Sequence, residues 1–586
     1  MELEAIDWEQ DLPLDADEAY QSLVRSLRRT DGFGLLFVRC SPAQANQITK
    51  DVESDLPEKV IKVMQLDKSI DNLYDRFLNL PNYNQINILF IKGLEYSIYE
   101  YEDREYGDIN LRSRSEVYSG NWKDVPRILG HLNLNRERFR DNFSTCFVFL
   151  IPEFVLKYFI RRAPDFFDWR SNIFEFPASK ELVDRETQRF LEDNDWEKYT
   201  SLSDQERVER MLLIRAWSSE DCQSPEKKAR LLREYGRLLQ TDNNKYQALA
   251  YFDEAVKLNP KFPEAWCSRG IVLSDLSRYE EAIACYDKAL EINPDNNEVW
   301  FNRAWILGES GRYEEAISCY DKALEINPEY YYAWHNRGWT LGKSGRYKEA
   351  ISCYDKALEI KPDDHEVWHR RGTALSELEK YKEAINSYDK ALEIKPDYHD
   401  AWDSRGDSLF DLGRYEEAIA SCDRALEIKP DYHYAWDNRG DSLLILGKNE
   451  EAITSYDKAL EIKPDNYLSW FKRGIALNNL RRYEEAIASY DKGLQFKPDD
   501  DQAWNNRGIV LFNLGRNEEA ITSYDRAVEI KPDYHQAWNN RGVVLGNLGR
   551  YEEAIASYDR AVEIKSDYQD AWYNRGIALR QLVKIT

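Results

Sequence analysis

His365, Glu366 and His369 spell H-E-x-x-H, and Gly342, Lys343 and Ser344 spell G-K-S. On one helical face two such histidines could bind zinc while the glutamate acts as a general base. G-K-S closes the phosphate-binding loop, whose backbone amides and lysine cradle a nucleotide. Neither reading survives comparison with the rest of the chain. His399, His433 and His535 stand in their own neighbourhoods where His365 does, and His335 matches His369, so the zinc motif arises from two independently recurring positions. Before G-K-S, Gly338 lies one residue too near and no strand precedes it. The expectation is a protein without catalytic residues, metal or cofactor.

The coincidences come from a repeat. Trp266, Trp300, Trp334, Trp368, Trp402, Trp436, Trp470, Trp504, Trp538 and Trp572 are spaced 34 residues apart without a slip. Four residues after nine of them comes Gly, Ala304 being the exception. A Tyr or Asn, an EEAI-like run, a YDKAL-like run and a proline follow, from Pro294 to Pro532. Each period reads as two short amphipathic helices with a turn between them and a proline ending the second. A weaker first register starts at Leu232 and carries Gly236, Ala248, Phe252, Ala255 and Pro260. Gly270 and its equivalents leave room for the Ala282 class, so that paired helices approach closely, and each Trp fills the gap between neighbours.

This succession of Trp, Gly, Ala-rich second helix and Pro resembles the tetratricopeptide repeat family. The resemblance implies an all-α superhelical solenoid of ten units over residues 229–566, preceded by a helical linker over 179–228. A last unpaired helix over 567–586 is expected to be the polar cap of the array, through Arg580, Gln581 and Lys584. The chain departs from the family three residues after each Trp, where Leu is usual and Arg stands here, from Arg269 to Arg575. An Asp recurs with it, from Asp253 to Asp559. The first unit has the Asp but Tyr235 in place of Arg, and the final half-unit has Arg575 and no Asp. Joining each Asp to the Arg of the following unit leaves none unpaired, so the expected structure is an inter-repeat ladder of carboxylates and guanidiniums able to pair bidentately.

Ahead of the repeats, the apolar runs GFGLLFVRC, KVIKVMQL, QINILFIKGLE and TCFVFLIP alternate with helical stretches. This predicts a parallel α/β sheet within about residues 20–178. The order resembles the nucleotide-binding domains of STAND and AAA-type ATPases, with ILFIKGLE at the end of a Walker B strand and Glu95 as its acidic residue. The tail APDFFDWRSNIFEF is similar to a segment accompanying such domains in bacterial repeat proteins. The resemblance implies a P-loop-NTPase-like domain over residues 1–178, but Cys40 leads into SPAQANQITK where the phosphate loop belongs. An inactive domain used for docking or sensing is expected; the rival is a nucleotide-regulated STAND-like signalling switch with the repeats as sensor. From Ala178 to Gln223 the strands stop, and Ser203 with Glu206 forms a capping box before a helix.

Charge narrows the partners. The 586 residues hold 106 acidic and 80 basic side chains, a net charge of −26, which repels polyphosphate and argues against nucleic acid. The most apolar stretch, Cys146 to Ile160, is interrupted by Pro152, Glu153 and Lys157, so no membrane span is expected. Eight cysteines without a C-x-x-C pair fit a reducing compartment, and the cytoplasm of a bacterium is the expected setting.

With catalysis set aside, variation between repeats carries the functional signal. In the family the residues one and five after the Trp lie on the concave, partner-binding face. Here they give an aromatic zone of Phe301, Trp305, His335, Trp339 and His369, then an acidic zone of Asp403, Asp407, Asp437 and Asp441 with Asp411 a turn further along its helix. An amide zone of Asn505 and Asn539 comes last. Acids at i, i+4 spacing on adjacent helices repel one another and call for a cationic partner, and exposed aromatics make interface anchors. The expected function is a non-enzymatic scaffold or adaptor for a basic or aromatic-rich protein or peptide. The basic clamp by which some family members hold a C-terminal carboxylate is not seen. The sequence sets no expectation for the oligomeric state.

Overall fold

The computed structural model describes residues 16–98, 126–176, 185, 187–188, 190–192, 196–219 and 224–585. The chain forms two compact bodies, residues 1–306 and 307–586.

The first body opens with an α/β domain: α1 (Ala16–Arg29), β1 (Gly34–Arg39), α2 (Pro42–Asp55), β2 (Ile61–Gln65), α3 (Leu73–Leu78), β3 (Ile88–Lys92), α4 (Arg127–Asn142), β4 (Cys146–Ile151), α5 (Glu153–Arg162), α6 (Pro164–Phe167) and β5 (Asn172–Glu175). The strands make one parallel sheet in the order β2-β3-β4-β1-β5, with Gly34 opposite Cys146 and Ile88 opposite Cys146 on its other side. The near-continuous apolar runs of β1, β3 and β4 are explained by helices on both faces. Leu36, Val38, Phe90 and Val148 pack under Leu23 of α1 and Ile48 and Val52 of α2. Leu35, Phe37, Leu89, Phe147 and Phe149 pack under α3 to α6 in an aromatic cluster, where Phe37 stacks on Phe149 at 5.2 Å. The four expected strands are present. β5 is an addition: NIFE lies inside the tail segment and is too short to show a period in the sequence.

The linker contains α7 (Trp196–Ser201) and α8 (Asp204–Ser219); residues 179–184, 186, 189, 193–195 and 220–223 of the expected linker region lie outside the described residues. Glu206 Oε2 accepts from both the backbone N–H and the hydroxyl of Ser203, at 2.9 and 2.7 Å, which is the expected cap.

Ten helix pairs follow, here called repeats 1 to 10, each with an A and a B helix, from Pro225–Thr241 with Lys245–Leu258 to His535–Asn547 with Tyr551–Ile564. The boundary between the two bodies falls inside the A helix of repeat 3, Asn297–Glu309. A left-handed residue ends the A helices at Gly311, Gly345, Gly413, Gly447, Gly515 and Gly549, with φ between 75° and 82°, and lets the chain return as a B helix. Each Trp indole donates to the carbonyl six residues before it, as Trp300 does to Pro294 at 2.9 Å.

The glycines of the A helices face a different partner from the one expected. A Cβ at Gly372 would stand 2.5 Å from the Tyr388 ring, and Gly270, Gly338, Gly440, Gly474, Gly508 and Gly542 meet the equivalent Tyr in the same way. The notch receives the ring of the YDKAL Tyr rather than the Ala282 class.

All ten rungs of the Asp–Arg ladder are formed. Arg Nε donates to Asp Oδ1 of the preceding B helix at 2.6 to 2.8 Å in nine rungs, and Arg575 meets Asp559 in the tenth. The pairing is not bidentate. In eight repeats Nη1 turns instead to the residue sixteen positions onward: Cys285, Cys353, Ser387, Ser421, Ser455, Ser489, Ser523 or Ser557. Each such guanidinium therefore ties three helices together, and Cys285 and Cys353 serve as acceptors in the serine position.

The last helix, Gln569–Ile585, runs 17 residues and is no polar cap. Trp572 is 49% exposed, Leu579 36% and Val583 74%, with Tyr573 and Ile577 also in solvent.

Candidate functional site

The A-helix positions one and five after each Trp divide into open and closed ones. Asp403, Asn505 and Asn539 are only 8%, 5% and 6% exposed. Each accepts a hydrogen bond from an Asn 35 residues further on: Asn438 to Asp403 at 3.1 Å, Asn540 to Asn505 at 3.1 Å and Asn574 to Asn539 at 3.2 Å. His369 Nε2 meets Ser404 Oγ at the same spacing, 3.1 Å. This is a second ladder between successive A helices, and it corrects the amide zone from an open recognition surface to inter-repeat bonding. Asn recurring at the second residue after Trp was its signal in the sequence.

The acidic zone stays together but differs residue by residue. Burial raises the Asp403 pKa to about 7, with Asp407, Asp400 and Asp437 adding repulsion and the Asn438 amide opposing. Asp437 is raised to about 6, again by burial first, while accepting from Ser469 Oγ at 2.5 Å and Asn466 Nδ2 at 2.7 Å. Asp441 takes the Lys472 ammonium at 2.5 Å and the Tyr456 hydroxyl at 2.8 Å, so its charge is matched internally. Asp407 occupies the same place one repeat earlier, where Cys422 replaces the Tyr, and no phenol reaches it. Asp407 and Asp411 are both exposed. Partial desolvation, then Asp411 and Asp441, push the Asp407 pKa upward. The open charge of the zone is thus Asp407 and Asp411, above a buried carboxyl at Asp403.

Upstream in the same body, His335 and Trp339 are half-buried. The Lys343 ammonium lies 5.8 Å from the Trp339 ring centre. Burial lowers the His369 pKa to about 4, and its Nδ1 faces Tyr398 Oη at 3.3 Å. Both ring nitrogens of His369 are engaged, His365 packs edge-on against Tyr398 at 5.1 Å, and Glu366 bonds Arg370 at 2.6 Å. The three groups of H-E-x-x-H are therefore each taken up within the array. Among the described residues no group of three or more His, Cys, Asp or Glu could hold a metal. In the first body, Phe301 is half-buried and Trp305 is 42% exposed.

The first body also contains a cavity of about 420 Å³, lined by Arg233, Arg237, Glu264, Cys267, Glu298 and Asn302 among others. Arg233 and Arg237 sit one and five residues after Leu232, so they occupy the same A-helix positions as the zones above. The zones missed them because Leu replaces the marker Trp. Buried Glu234 takes both guanidiniums, at 2.7 and 3.3 Å, and also accepts from Tyr199 Oη at 2.7 Å.

In the α/β domain the helices following neighbouring strands β1 and β4 lie on opposite faces, and parallel sheets hold ligands outside such a crossing point. Here the crossing is closed by ion pairs. Arg39 at the end of β1 donates to Glu153 at 2.9 Å and Glu175 at 3.2 Å. At the start of α2, Ser41 Oγ accepts the Gln44 amide at 3.3 Å, Gln44 Oε1 accepts the Ser41 amide at 2.9 Å, and Pro42 removes another donor. A phosphate would need those amides. Lys92 Nζ reaches Asn46 and Thr49, at 2.9 and 3.1 Å. Glu95, just after β3, has its Oε2 buried without a hydrogen-bond partner, and burial raises its pKa to about 7.

Stacked helix pairs with a variable side-chain face define a helical-repeat binding protein. The chain belongs to the tetratricopeptide repeat family, whose repeats match at residues 229–262, 263–296, 298–330, 331–364, 369–433, 440–480, 481–515, 505–569 and 540–585. Proteins of this family are protein-interaction scaffolds. These matches all lie within residues 229–585, and the likeness of the front domain to STAND and AAA-type ATPases gains no support from them. No curated protein matches. Among solved structures, YrrB, a TPR protein with an unusual peptide-binding site, is 29% identical over 31% of this chain and 95% of its own, with a TM-score of 0.29. A tetratricopeptide repeat protein from Parabacteroides merdae is 20% identical over 43% of this chain and 99% of its own, with a TM-score of 0.35. The Cut9–Hcn1 hetero-tetramer of the APC/C gives 16% identity over 68% of this chain and 86% of its own, with a TM-score of 0.34. Among the described residues no helix is long and apolar enough to cross a membrane.

Proposed function

We propose that the chain is a non-enzymatic scaffold that holds a cationic, aromatic-bearing peptide segment of a protein partner along the A-helix face of repeats 4 to 7. One observation carries the reading: among the described residues Asp407 and Asp411 remain exposed and form no ion pair, the nearby Lys472 being paired to Asp441 and only opposing the rise of the Asp407 pKa, in a chain that bonds nearly every other recurring charge internally. A Lys or Arg of the partner supplies that cation, and Trp339 and His335, at the same A-helix positions two repeats earlier, offer an anchor for an aromatic side chain further along the segment. Asp437 and Asp441 shape the site through Ser469, Asn466, Tyr456 and Lys472, while Asp403 sets its proton balance. Phe301 and Trp305 present the same positions in the first body, and Asn505 and Asn539 act by holding repeats in register.

The front domain serves, in this reading, as an inactivated NTPase-like docking domain, a role supported by the capping box at the start of α2 and by the Arg39 ion pairs. Free thiols, seven of them described, suit a reducing cytoplasm.

The test is selection from a peptide library varied in Lys, Arg and Trp content, followed by titration of the strongest binder. Asp407→Lys should abolish binding and Asp411→Lys weaken it, with circular dichroism unchanged, and affinity should fall as salt rises. Selection of acidic peptides, or indifference to Asp407→Lys, would refute the reading.

A further inference from the structure

The cavity of the first body carries both signs of charge on its wall. Its charged lining is Arg233 and Arg237 from the A helix of repeat 1, Glu264 from that of repeat 2 and Glu298 from that of repeat 3. Behind the arginines, buried Glu234 offsets one of their two charges and is itself fixed by the Tyr199 hydroxyl at 2.7 Å. Arg233 uses Nη1 for Glu234 at 2.7 Å and Nε for Ser268 Oγ at 3.2 Å, and among the described residues its Nη2 donors meet no acceptor. Two bonds thus hold the guanidinium still while part of its fork remains for a planar anion.

Glu264 and Glu298 stand two residues before the Trp of their own repeats, on neighbouring A helices of the kind that pack about 8 to 10 Å apart. Both are exposed, and among the described residues neither carboxylate forms an ion pair or accepts a hydrogen bond. Glu264 lies one turn before Ser268, which anchors Arg233. Glu298 lies one turn before Asn302, whose amide donates to Cys267 Sγ at 3.8 Å. Cys267 is where these charges meet: burial pushes its thiol up to about 11, Asn302 and Arg233 oppose the rise, and Glu298 and Glu264 add to it. An anchored cation, a thiol and two unmatched carboxylates therefore cross three A helices in order.

That order selects an occupant. Three carboxylates stand against two guanidiniums, so a simple anion is repelled. A neutral amino acid satisfies Arg233 and one glutamate and leaves the other glutamate unmatched. One carboxylate and two cations in a single small molecule match every open charge. We propose that the cavity binds a free α-amino acid with a cationic side chain, of the lysine or arginine kind. Its carboxylate sits on Arg233 beside Arg237, its α-ammonium on Glu264, its aliphatic stem across Cys267 and its side-chain cation on Glu298. The volume of about 420 Å³ is within the ordinary range of small-molecule sites. The site shares no residue with the one around Asp407 and adds a small-molecule ligand to the peptide scaffold.

Isothermal titration calorimetry of the full chain with L-lysine and L-arginine is the test. One molecule should bind per chain, with half-saturation below about 1 mM. L-Leucine lacks the side-chain cation, cadaverine lacks the carboxylate, and the tripeptide alanyl-alanyl-lysine lacks the α-ammonium on its lysine; each should bind about tenfold more weakly or worse. Glu298→Gln should bring lysine down to the level of leucine, and Glu264→Gln should weaken both. These variants alter exposed side chains without internal partners, so circular dichroism should stay unchanged, which Arg233→Ala does not guarantee because it strands buried Glu234. Asp407→Lys should leave lysine binding as it is. Absence of lysine and arginine binding, leucine, inorganic phosphate or the tripeptide binding as tightly as lysine, or wild-type lysine affinity in Glu298→Gln would each overturn the proposal.

Discussion

Replacing Asp403 by Asn should stabilise the protein, although it removes a carboxylate from the centre of the proposed site. Asp403 is 8% exposed, and burial pushes its pKa up to about 7, well above the ordinary carboxylate range. The folded chain therefore holds a proton that the unfolded chain releases, and stability falls as pH rises from about 4 through about 7. Ionising the buried carboxyl above that window costs the fold roughly 4 kcal/mol, as an upper limit. Asparagine keeps the acceptor for Asn438, because Asn505 plays that part for Asn540 at the same 3.1 Å. Urea unfolding of wild type and Asp403→Asn at pH 6 and pH 8, both above the isoelectric point of about 4.9, should show the variant more stable. The gain should be about 2 to 4 kcal/mol at pH 8 and roughly 1 kcal/mol smaller at pH 6. Since an array of nearest-neighbour contacts unfolds in segments, amide exchange in the helix His399–Asp411 localises the effect. A variant less stable than wild type at pH 8 would show that the carboxylate is a welcome partner there, and the argument from burial would fail.

Other expectations follow from single contacts. Gly372→Ala drives a methyl to 2.5 Å from the Tyr388 ring and should cost about 1 to 3 kcal/mol, whereas Gly576→Ala meets nothing and should add up to about 1 kcal/mol; thermal denaturation separates the two signs. Cys353→Ser should leave the melting temperature within a degree or so, as serine accepts the same arginine bond at Ser387 and Ser421. A double-mutant cycle on Asp423 and Arg439, 2.6 Å apart with the Asp side chain half in solvent, should give a coupling of about 0.5 to 1.5 kcal/mol, and zero coupling would reduce the ladder to decoration. Magnesium nucleotide at millimolar concentration should leave the melting curve of the full chain unmoved, and a shift would revive a nucleotide switch.

The repeats were legible because a period of 34 residues held for ten turns, and the ladder because its two ends broke the symmetry between possible pairings. What the sequence hid was which atoms lie beneath a neighbour. Asp403, Asn505 and Asn539 occupy nominally open positions, but the next A helix leans an asparagine onto each of them. The third partner of the ladder arginines is hidden in the sequence because Cys holds the position in some repeats and Ser in others. The last helix was misjudged because Arg580, Gln581 and Lys584 were counted along the chain rather than by face, which conceals a stripe of Trp572, Leu579 and Val583. In the α/β domain four strands announced themselves by buried apolar runs, whereas β5 offers only Ile173 and Phe174 to the core.

The central claim is that the A-helix face of the repeats is the functional surface. Affinity capture from source-cell lysate with mass spectrometry tests it directly, comparing the wild-type chain with a folded variant carrying Trp339→Ala and Asp407→Lys. Loss of specific partners, and of the binding peptides mapped within them, is the predicted result. The same partners captured at undiminished yield would place recognition in the front domain or on another face of the array and contradict the account.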